Sequence, residues 1–344
     1  MRAMVLRAFN QPMTLETSPD PACGPADLIV AVSACGVCAT DLKIAAGHVR
    51  STPLPHIPGH EIAGVVTAVG AQVTGFRVGD KICSHFYVPC LECENCRAGR
   101  TNICLALSGG KAAGRLGFEW PGGYAEFIRV PARVAVPLPP AAAVEDLAIC
   151  ADAIATPYHA LHTRLGIAAG QTLILLGAGG GLGIHAVQLV RAAGAHAVAV
   201  DQGAGRLQLA CDLGAEECVD TAEPGAWEAL LRRGRFADGV IDFAGSPSLG
   251  AAATQVLKAG CRYVIVGYRY GEPFPLPYQP AVSFELDILG ARASTMADLQ
   301  ATVALILAGR VRPIVGARLP LARANEALES VRTAQEPGRI VLIP

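Results

Sequence analysis

Four cysteines are crowded into one short segment of the chain. Cys90, Cys93, Cys96 and Cys104 follow the spacing C-x2-C-x2-C-x7-C. Thiolate sulfur is a preferred ligand of zinc, and four thiolates close a tetrahedral shell that leaves no position open for a substrate. The array therefore predicts a structural zinc site, which holds together a loop that has no core of its own.

A second stretch has the pattern of a dinucleotide-binding turn. Residues 172–176 are apolar and favour a strand, glycines follow them, and apolar residues at helical spacing come next. Glycines let the backbone approach a pyrophosphate, and the helix N-terminus attracts it. The spacing is irregular, because G-x-G-x-x-G counted back from Gly183 has Ala178 in its first place. The turn residues expected at the cofactor are Gly177, Gly179, Gly180, Gly181, Leu182 and Gly183.

The predicted strand that follows this helix ends on Asp201. A carboxylate about 20 residues beyond the glycine turn can bond the 2′-hydroxyl of the adenosine ribose. The same charge would repel a 2′-phosphate, so the sequence favours NAD over NADP. The alternative is an ordinary α/β protein with a glycine-rich turn and a surface aspartate. We also expect Arg206, Ala244 and Gly267 to contact the cofactor.

The composition limits the possible classes of protein. The 344 residues suffice for two domains with large cores. A formal net charge of −1 leaves no electrostatic footprint for nucleic acid or an anionic membrane. The apolar run at the start is too short for a signal peptide, and no stretch of about 18 apolar residues suggests a membrane span, so we expect a cytoplasmic protein. Cysteines there stay reduced, and packing residues are expected at Cys23, Cys35, Cys83, Cys211, Cys218 and Cys261.

Three further motifs lie in the first quarter of the chain. Residues 36–41 read G-V-C-x-T-D, residues 58–64 read P-G-H-E-x-x-G, and residues 78–80 read V-G-D. With the four-cysteine array, these motifs resemble the zinc-containing medium-chain alcohol dehydrogenases. The resemblance covers essentially the whole chain.

The resemblance implies an α/β protein with a GroES-like, β-rich catalytic domain and a doubly wound parallel sheet, the Rossmann fold, for the cofactor. Alternating strand and helix patterns predict six parallel strands for that sheet. They are expected at 172–176, 197–200, 217–219, 240–243, 263–266 and 287–289. The expected domains are 1–151 for the catalytic domain with its zinc lobe at 90–104, 152–290 for the NAD-binding domain, and 291–344 for a return that completes the catalytic domain.

The resemblance also implies a second, catalytic zinc. An alcohol carbon loses hydride readily only if the hydroxyl proton leaves too, and zinc with one open position stabilises the alkoxide as a Lewis acid. Cys38 and His60 match the ligand motifs of the family. The third ligand departs from the commonest pattern, because alignment of residues 156–161 puts Asp152 in the place of a cysteine. Cys150, two residues away, is the rival candidate.

Other polar residues acquire expected roles from the resemblance. Glu61 corresponds to a glutamate that approaches the metal transiently, or it only accepts a hydrogen bond nearby. Thr40 matches the hydroxyl that touches the substrate oxygen, but the histidine that usually continues its proton relay is Lys43 here. Lysine is a poor base near pH 7 unless its pKa is strongly lowered, so the proton can pass directly to water. Asp41 is an acid beside the ligands or a helix N-terminal acid, and Arg339 reaches the cofactor pyrophosphate or lies on the surface.

Three histidines in the catalytic half have no ligand motif. His48, His56 and His85 are expected in loops, in the pocket wall or in the core. Residues 85–87 and Trp120 fall where family members line the substrate channel. That placement indicates an apolar pocket that can accept aromatic groups.

The sequence as a whole predicts a zinc-dependent oxidoreductase that transfers a hydride between NAD and a primary or secondary alcohol or its carbonyl product. The expected cofactors are zinc in both sites and NAD, and the expected partners are a small-molecule substrate and further copies of the chain in a homodimer or homotetramer. A polyol or amino-alcohol dehydrogenase and a zinc-free enoyl or quinone reductase are the alternatives on the same fold. A non-catalytic nucleotide-binding protein is the alternative from another class.

Overall fold

The computed structural model describes residues 1–108, 113–275, 278–334 and 336–344. It divides into two compact units. The first comprises Met1–Ala155, Ser294–Leu307 and Pro313–Pro344, and the second comprises Thr156–Ala293 and Ala308–Arg312. These boundaries fall a few residues after the predicted ones at 152 and 291, so that Asp152 belongs to the first unit.

The strands and helices are numbered in chain order. The strands are β1 Arg2–Val5, β2 Thr14–Thr17, β3 Asp27–Val37, β4 Glu61–Val69, β5 Lys81–Ser84, β6 Tyr87–Val88, β7 Gly114–Arg115, β8 Phe127–Pro131, β9 Ala135–Leu138, β10 Thr172–Leu176, β11 His196–Asp201, β12 Glu217–Asp220, β13 Ala237–Asp242, β14 Leu257–Ile265, β15 Asp287–Gly290, β16 Val315–Pro320 and β17 Arg339–Ile343. The helices are α1 Ala39–Ala45, α2 Glu94–Arg97, α3 Val144–Leu147, α4 Ala155–Tyr158, α5 Gly183–Ala192, α6 Ala204–Asp212, α7 Ala226–Leu231, α8 Pro247–Ala253, α9 Tyr278–Ser283, α10 Met296–Leu307 and α11 Ala324–Thr333.

A seven-stranded sheet forms the core of the first unit. Its strands lie in the order β16-β17-β3-β4-β5-β9, and β8 also pairs with β3. Antiparallel pairing sets Gly36 of β3 opposite Glu61 of β4 and opposite Val341 of β17. The C-terminal end of β3 therefore lies beside the first residues of β4 and β17, its two neighbours in the sheet. Residues just beyond these ends are brought together there.

The second unit contains the predicted parallel sheet. Six strands lie in the order β12-β11-β10-β13-β14-β15, and every neighbouring pair is parallel. Residues 173–176 of β10 are fully buried, as expected for a strand covered by helices on both faces. The chain leaves β10 toward β11 on one side and later returns to β13 on the other, so the sheet is doubly wound as predicted.

Between residues 144 and 165 the chain is almost continuously helical. Two stretches, Cys150–Ile154 and His159–Leu165, are wound as wider π-helical turns, and the segment ends at Gly166 with φ +75°. A π-helical turn moves the side chains that follow it out of α-helical register. Asp152 lies in the first of these wide turns.

A polar cap begins α10. Thr295 Oγ1 accepts a hydrogen bond from the Asp298 backbone N–H at 3.2 Å, and Asp298 Oδ2 accepts one from the Thr295 N–H at 2.8 Å. This reciprocal pair is a capping box. The cap residue is Thr295. The side chain of Ser294, one residue earlier, contacts His85 instead.

Two expectations about the cysteines are wrong. Cys211 and Cys218, expected as separate packing residues, are joined by a disulfide. The chain reverses between α6 and β12, which brings their Cα atoms to 6.5 Å, within the ordinary range for a bridge. Cys23 is exposed and does not pack in the core, because it lies in the loop before β3.

Among the described residues, no helix is both long and apolar enough to cross a membrane.

Candidate metal and cofactor sites

Four buried side chains converge in the first unit, where β3 ends beside the first residues of β4 and β17. Ligand atoms of Cys38, His60, Glu61 and Asp152 all lie within 4.8 Å of one another. The Cys38 Sγ is 3.3 Å from the His60 Nε2, which is 3.7 Å from the Asp152 Oδ2. This group brings together the three ligands expected for a catalytic metal, and we call it the metal cluster. The rival Cys150 is buried but does not belong to it.

The turn from β3 into α1 fixes Cys38. Its Sγ accepts a hydrogen bond of 3.2 Å from the Thr40 backbone N–H, and its own N–H donates to Asp41 Oδ2 at 2.9 Å. Cys38 therefore caps α1 in the way that serine or threonine usually caps a helix. Thr40 and Lys43, the two residues expected to handle protons, both lie on this helix and are partly exposed.

Asp41 lies beside His60. The Asp41 Oδ1 lies 3.3 Å from the His60 Nδ1, so the carboxylate faces the ring nitrogen opposite the metal cluster. A ligating histidine usually gives its second N–H to such an acceptor, which fixes the tautomer and frees the other nitrogen for the metal. The expectation of an acid beside the ligands is met, and Asp41 also serves as the helix N-terminal acid.

The electrostatics of the metal cluster favour a cation. Burial disfavours a charged imidazole, yet the nearby Cys38, Asp41 and Asp152 hold the pKa of His60 well above its usual value. The same negative potential that retains a proton on His60 can attract a divalent cation, whose binding displaces that proton. The donor set of one sulfur, one nitrogen and carboxylate oxygen suits zinc.

Arg339 closes the metal cluster from β17. Its Nε donates to the two Glu61 carboxylate oxygens at 2.9 and 3.1 Å, and its Nη2 donates to the Asp152 Oδ2 at 2.8 Å. Burial raises the pKa of Glu61 to about 7, although the Arg339 charge opposes this rise. The surface-arginine alternative is wrong, because the side chain is buried. Contact with a cofactor pyrophosphate stays a prediction.

Glycine is required opposite Glu61. A Cβ added at Gly36 would overlap the Glu61 carboxylate. The G-V-C motif therefore begins with the residue that makes room for this carboxylate, directly ahead of the cysteine ligand. Sequence reasoning missed this role of Gly36, although the motif itself contained the signal.

Aromatic side chains enclose His60. Its ring centroid lies 5.0 Å from that of Phe86 and 5.2 Å from that of Phe118, and both phenylalanines are buried. Phe86 belongs to the segment expected to line the pocket, whereas Phe118 was not predicted. Trp120, which was, is half-buried, and its indole leaves no room for a Cβ at Gly114.

The three histidines without a ligand motif lie outside the metal cluster. His48 is exposed, whereas His56 and His85 are buried. Burial lowers the pKa of His56, and it lowers that of His85 to about 4. Both buried rings are therefore neutral at physiological pH, as expected for core or wall residues.

The four-cysteine array folds into a compact lobe. The four sulfurs lie within 4.8 Å of one another, and the Cys90 and Cys104 Sγ atoms are 3.5 Å apart. Backbone N–H groups, first that of Cys96, lower the pKa of Cys93 to about 6. A stabilised thiolate is the form that binds zinc. Burial instead raises the pKa of Cys96 to about 12, so it is the spacing of the four sulfurs that fits the predicted structural zinc site.

The glycine-rich turn in the second unit is built for close packing. Gly177 has φ +79°, which other residues rarely adopt. A Cβ at Gly183 would overlap the Gly177 carbonyl oxygen, so α5 can begin this close to β10 only with glycine there. Gly180, Gly181 and Leu182 complete the turn ahead of the helix.

Asp201 and Arg206 lie beside this turn. The Gly179 N–H donates to Asp201 Oδ2 at 2.8 Å, and Arg206 Nη2 lies 3.2 Å from the same oxygen. The carboxylate at the end of β11 is thus held at the turn, where the sequence pattern expects a ribose contact.

Ala244 and Gly267 lie at the same end of the sheet. A Cβ on Gly177 would come within 3.0 Å of the Ala244 backbone nitrogen, and a Cβ on Gly267 would overlap the Phe243 carbonyl oxygen. The expected cofactor residues of the second unit therefore gather at the carboxyl ends of β10, β13 and β14. Ligands of doubly wound sheets bind at this end.

Comparisons with known proteins agree with this picture. Residues 24–140 match the alcohol dehydrogenase GroES-like domain, and residues 181–308 match the zinc-binding dehydrogenase domain. An alcohol dehydrogenase of Geobacillus stearothermophilus is 32% identical over 99% of both chains, and an NAD-dependent alcohol dehydrogenase of Sulfurisphaera tokodaii is 29% identical over 100% of both. The crystal structure of the alcohol dehydrogenase from Aeropyrum pernix superimposes with a TM-score of 0.90 at 31% identity, over 100% of both chains.

The matched domains define an oxidoreductase of the zinc-binding dehydrogenase class. The chain belongs to the zinc-dependent medium-chain alcohol dehydrogenase family. The predicted family and the predicted GroES-like and Rossmann folds are confirmed.

Proposed function

We propose that this protein transfers a hydride between NAD and a primary or secondary alcohol or its carbonyl product, at a zinc ion held by Cys38, His60 and Asp152. The observation that carries the proposal is the convergence of one thiol, one imidazole and one carboxylate within 4.8 Å. Three protein ligands are the number that a catalytic zinc uses, because the fourth position must remain for substrate.

The chain's own residues prepare the chemistry. Zinc, when bound, supplies a Lewis acid that lowers the pKa of an alcohol hydroxyl. The His60 Nε2 faces the metal cluster, and the Asp41 carboxylate lies 3.3 Å from the other ring nitrogen, where it can accept its proton. Arg339 holds the Glu61 carboxylate by hydrogen bonds, so this fourth member of the cluster is not free to move. The Thr40 hydroxyl is the proposed contact of the substrate oxygen, and the proton leaves to water or by way of Lys43.

Asp201 supports NAD as the cofactor. Its carboxylate places a negative charge beside the glycine-rich turn, where a 2′-phosphate would be repelled. Arg206, already paired with this carboxylate, is only partly available to a phosphate. The proposed contacts of NAD are the turn residues 177–183, with Ala244 and Gly267 at the adjoining strand ends.

The metal cluster argues against a zinc-free enoyl or quinone reductase, which would not need these buried donors. The buried phenylalanines beside His60 favour an apolar alcohol over a polyol or an amino alcohol.

We further propose that the chain assembles as a homodimer or homotetramer. Native mass spectrometry of the purified protein measures this assembly directly.

The decisive experiment combines zinc analysis with NAD-dependent oxidation of primary, secondary, aromatic and polyol alcohols. Asp152→Ala should lose one zinc per chain and the activity, because it removes one of three ligands. Cys150→Ala is the matched control, a small change two residues away that should keep both. Loss of zinc in the control alone would show that the third ligand is Cys150. A wild-type protein that binds NAD and oxidises none of these alcohols would overturn the proposed function.

A further inference from the structure

His85 makes hydrogen bonds from both ring nitrogens although it is 2% exposed. Nδ1 accepts from the Tyr87 backbone N–H at 3.0 Å and lies 3.3 Å from the Tyr87 carbonyl oxygen. The carbonyl oxygen of Ser294 beside Nε2 can only accept, and with the shorter Tyr87 contact this assigns the ring proton to Nε2. Nε2 lies 3.0 Å from the Ser294 carbonyl oxygen, to which it donates, and 3.1 Å from the Ser294 Oγ. The ring is therefore a fixed neutral tautomer with one acceptor and one donor in use.

These bonds join two segments that are 209 residues apart in the sequence. Tyr87 begins β6, and Ser294 lies just ahead of the capping box of α10. Helix α10 in turn contacts the turn Cys150–Ile154, which carries Asp152. One imidazole thus ties the β5–β6 connection to the helix that supports the third member of the proposed zinc site.

Phe86 is the residue held between these contacts. Its ring stacks on that of His85 with an interplanar angle of 4° and a centroid separation of 5.4 Å. It also packs beside the rings of Tyr87, at 4.8 Å, His60, at 5.0 Å, and Phe118, at 5.9 Å. The position of the phenylalanine beside the metal ligand therefore depends on the ring that stacks on it.

We propose that His85 is a positioning residue for substrate selectivity, which anchors Phe86 against His60 through its bond to Ser294 and so sets the space for the carbon substituents of an alcohol. The inference rests on the proposed function, because it assumes that substrate binds next to His60. His85 touches neither metal donor atoms nor reacting atoms, so its proposed effect on the substrate is indirect and passes through Phe86.

The expected effect lies in selectivity. If the ring of Phe86 shifts, the pocket fits a large substituent less well. A misfit of about one methylene group in an apolar pocket changes kcat/KM tenfold or more. A small alcohol that does not reach the wall should be insensitive. The effect should appear mainly in the KM of the larger substrate, because bonds to the reacting atoms are unchanged.

Three substitutions separate the two bonds of the ring. His85→Gln can keep a donor near the position of Nε2, His85→Asn can keep only the acceptor near Nδ1, and His85→Leu keeps neither. We expect His85→Leu and His85→Asn to change the kcat/KM ratio between cyclohexanol and ethanol at least tenfold, whereas His85→Gln stays within threefold of wild type. Ser294→Ala is the control, because it keeps the carbonyl acceptor and loses only the hydroxyl.

A second readout does not need turnover. A carboxamide resembles the carbonyl product and cannot accept a hydride, so calorimetry with NADH-saturated protein gives the binding constants of acetamide and hexanamide. We expect their ratio to change in His85→Asn, the variant to use if His85→Leu does not fold, with zinc content unchanged.

The outcomes separate the two proposals. Equal selectivity in all variants, or equal losses for large and small ligands, would overturn the role of His85 and leave the dehydrogenase standing. A wild type without alcohol turnover whose amide ratio still depends on His85 would overturn the proposed function and retain the role of His85.

Discussion

The Arg339 Nη2 lies 2.8 Å from the Asp152 Oδ2, while the Nε of the same guanidinium donates hydrogen bonds to both carboxylate oxygens of Glu61. One buried cation is thus shared by two buried carboxylates. Arg339 carries one positive charge against the two carboxylates of the metal cluster. A bound zinc ion would add positive charge beside these carboxylates.

Removing the guanidinium should destabilise the metal-free protein. Arg339→Met leaves two buried carboxylates without a counterion, and breaking a buried pair in this way costs about 3–5 kcal/mol. Arg339→Lys should cost less, because it keeps the charge and loses the planar fork. Urea unfolding of chelator-treated protein measures the difference. Equal stability of Arg339→Met and wild type would show that the pairing contributes nothing.

The two proposed zinc ions should be separable. Cys104→Ser removes one of four thiolates from the lobe, so we expect one zinc per chain to be lost and the half-life at elevated temperature to fall. Cys261→Ser, a free cysteine outside both groups, should retain the full zinc content. Metal analysis and timed heat inactivation provide the two measurements. Full zinc content in Cys104→Ser would contradict the assigned site.

Cofactor preference should respond to Asp201. In Asp201→Ser the repulsion of a 2′-phosphate is gone and Arg206 is released from its ion pair, so we expect the kcat/KM ratio of NADP to NAD to rise at least tenfold, or about 1.4 kcal/mol. Adding Arg206→Gln should reverse most of this gain. An unchanged ratio in Asp201→Ser would show that the carboxylate does not select the cofactor.

The start of α5 should not tolerate a side chain. Gly183→Ala forces the helix away from the Gly177 carbonyl oxygen, so we expect the KM for NAD to rise about tenfold and stability to fall by about 1–3 kcal/mol. Gly205→Ala is the matched control, because a Cβ there meets no other atom and alanine favours the helix. Similar results for both variants would contradict the close approach.

Acid should destabilise the protein partly through His85. Burial lowers the pKa of His85 to about 4, so between pH 6.5 and 4 the unfolded chain binds a proton that the folded chain does not. The free energy of unfolding should therefore fall as the pH is lowered through this range, by about 3 kcal/mol from this group. His85→Gln should lack this part of the pH dependence. Parallel curves for both proteins in urea unfolding from pH 4 to 8 would contradict it.

Local patterns predicted most of the second unit. The apolar runs of β10 and β11 and the glycines between β10 and α5 depend on neighbouring residues, so the parallel sheet and its turn could be read from them. The disulfide of Cys211 with Cys218 escaped prediction, because it depends on how sharply the chain reverses between α6 and β12.

The metal cluster was predicted in part, for a different reason. Cys38 and His60 lie in recognisable motifs, and Asp152 followed from alignment of the next segment. The bonds of Arg339 to Glu61, 278 residues apart, depend on the pairing of β17 with β3, which no local pattern shows. The same holds for His85 and Ser294.

The position of β17 has a consequence for biosynthesis. It lies between β16 and β3 in the sheet, although it follows β3 by about 300 residues in the sequence. Until residues 339–343 are synthesised, β3 lacks its neighbour β17, and the carboxylates of Glu61 and Asp152 have no guanidinium beside them. The proposed ligands Cys38, His60 and Asp152 are synthesised well before Arg339, so zinc that arrives during translation meets Glu61 and Asp152 before the guanidinium is beside them.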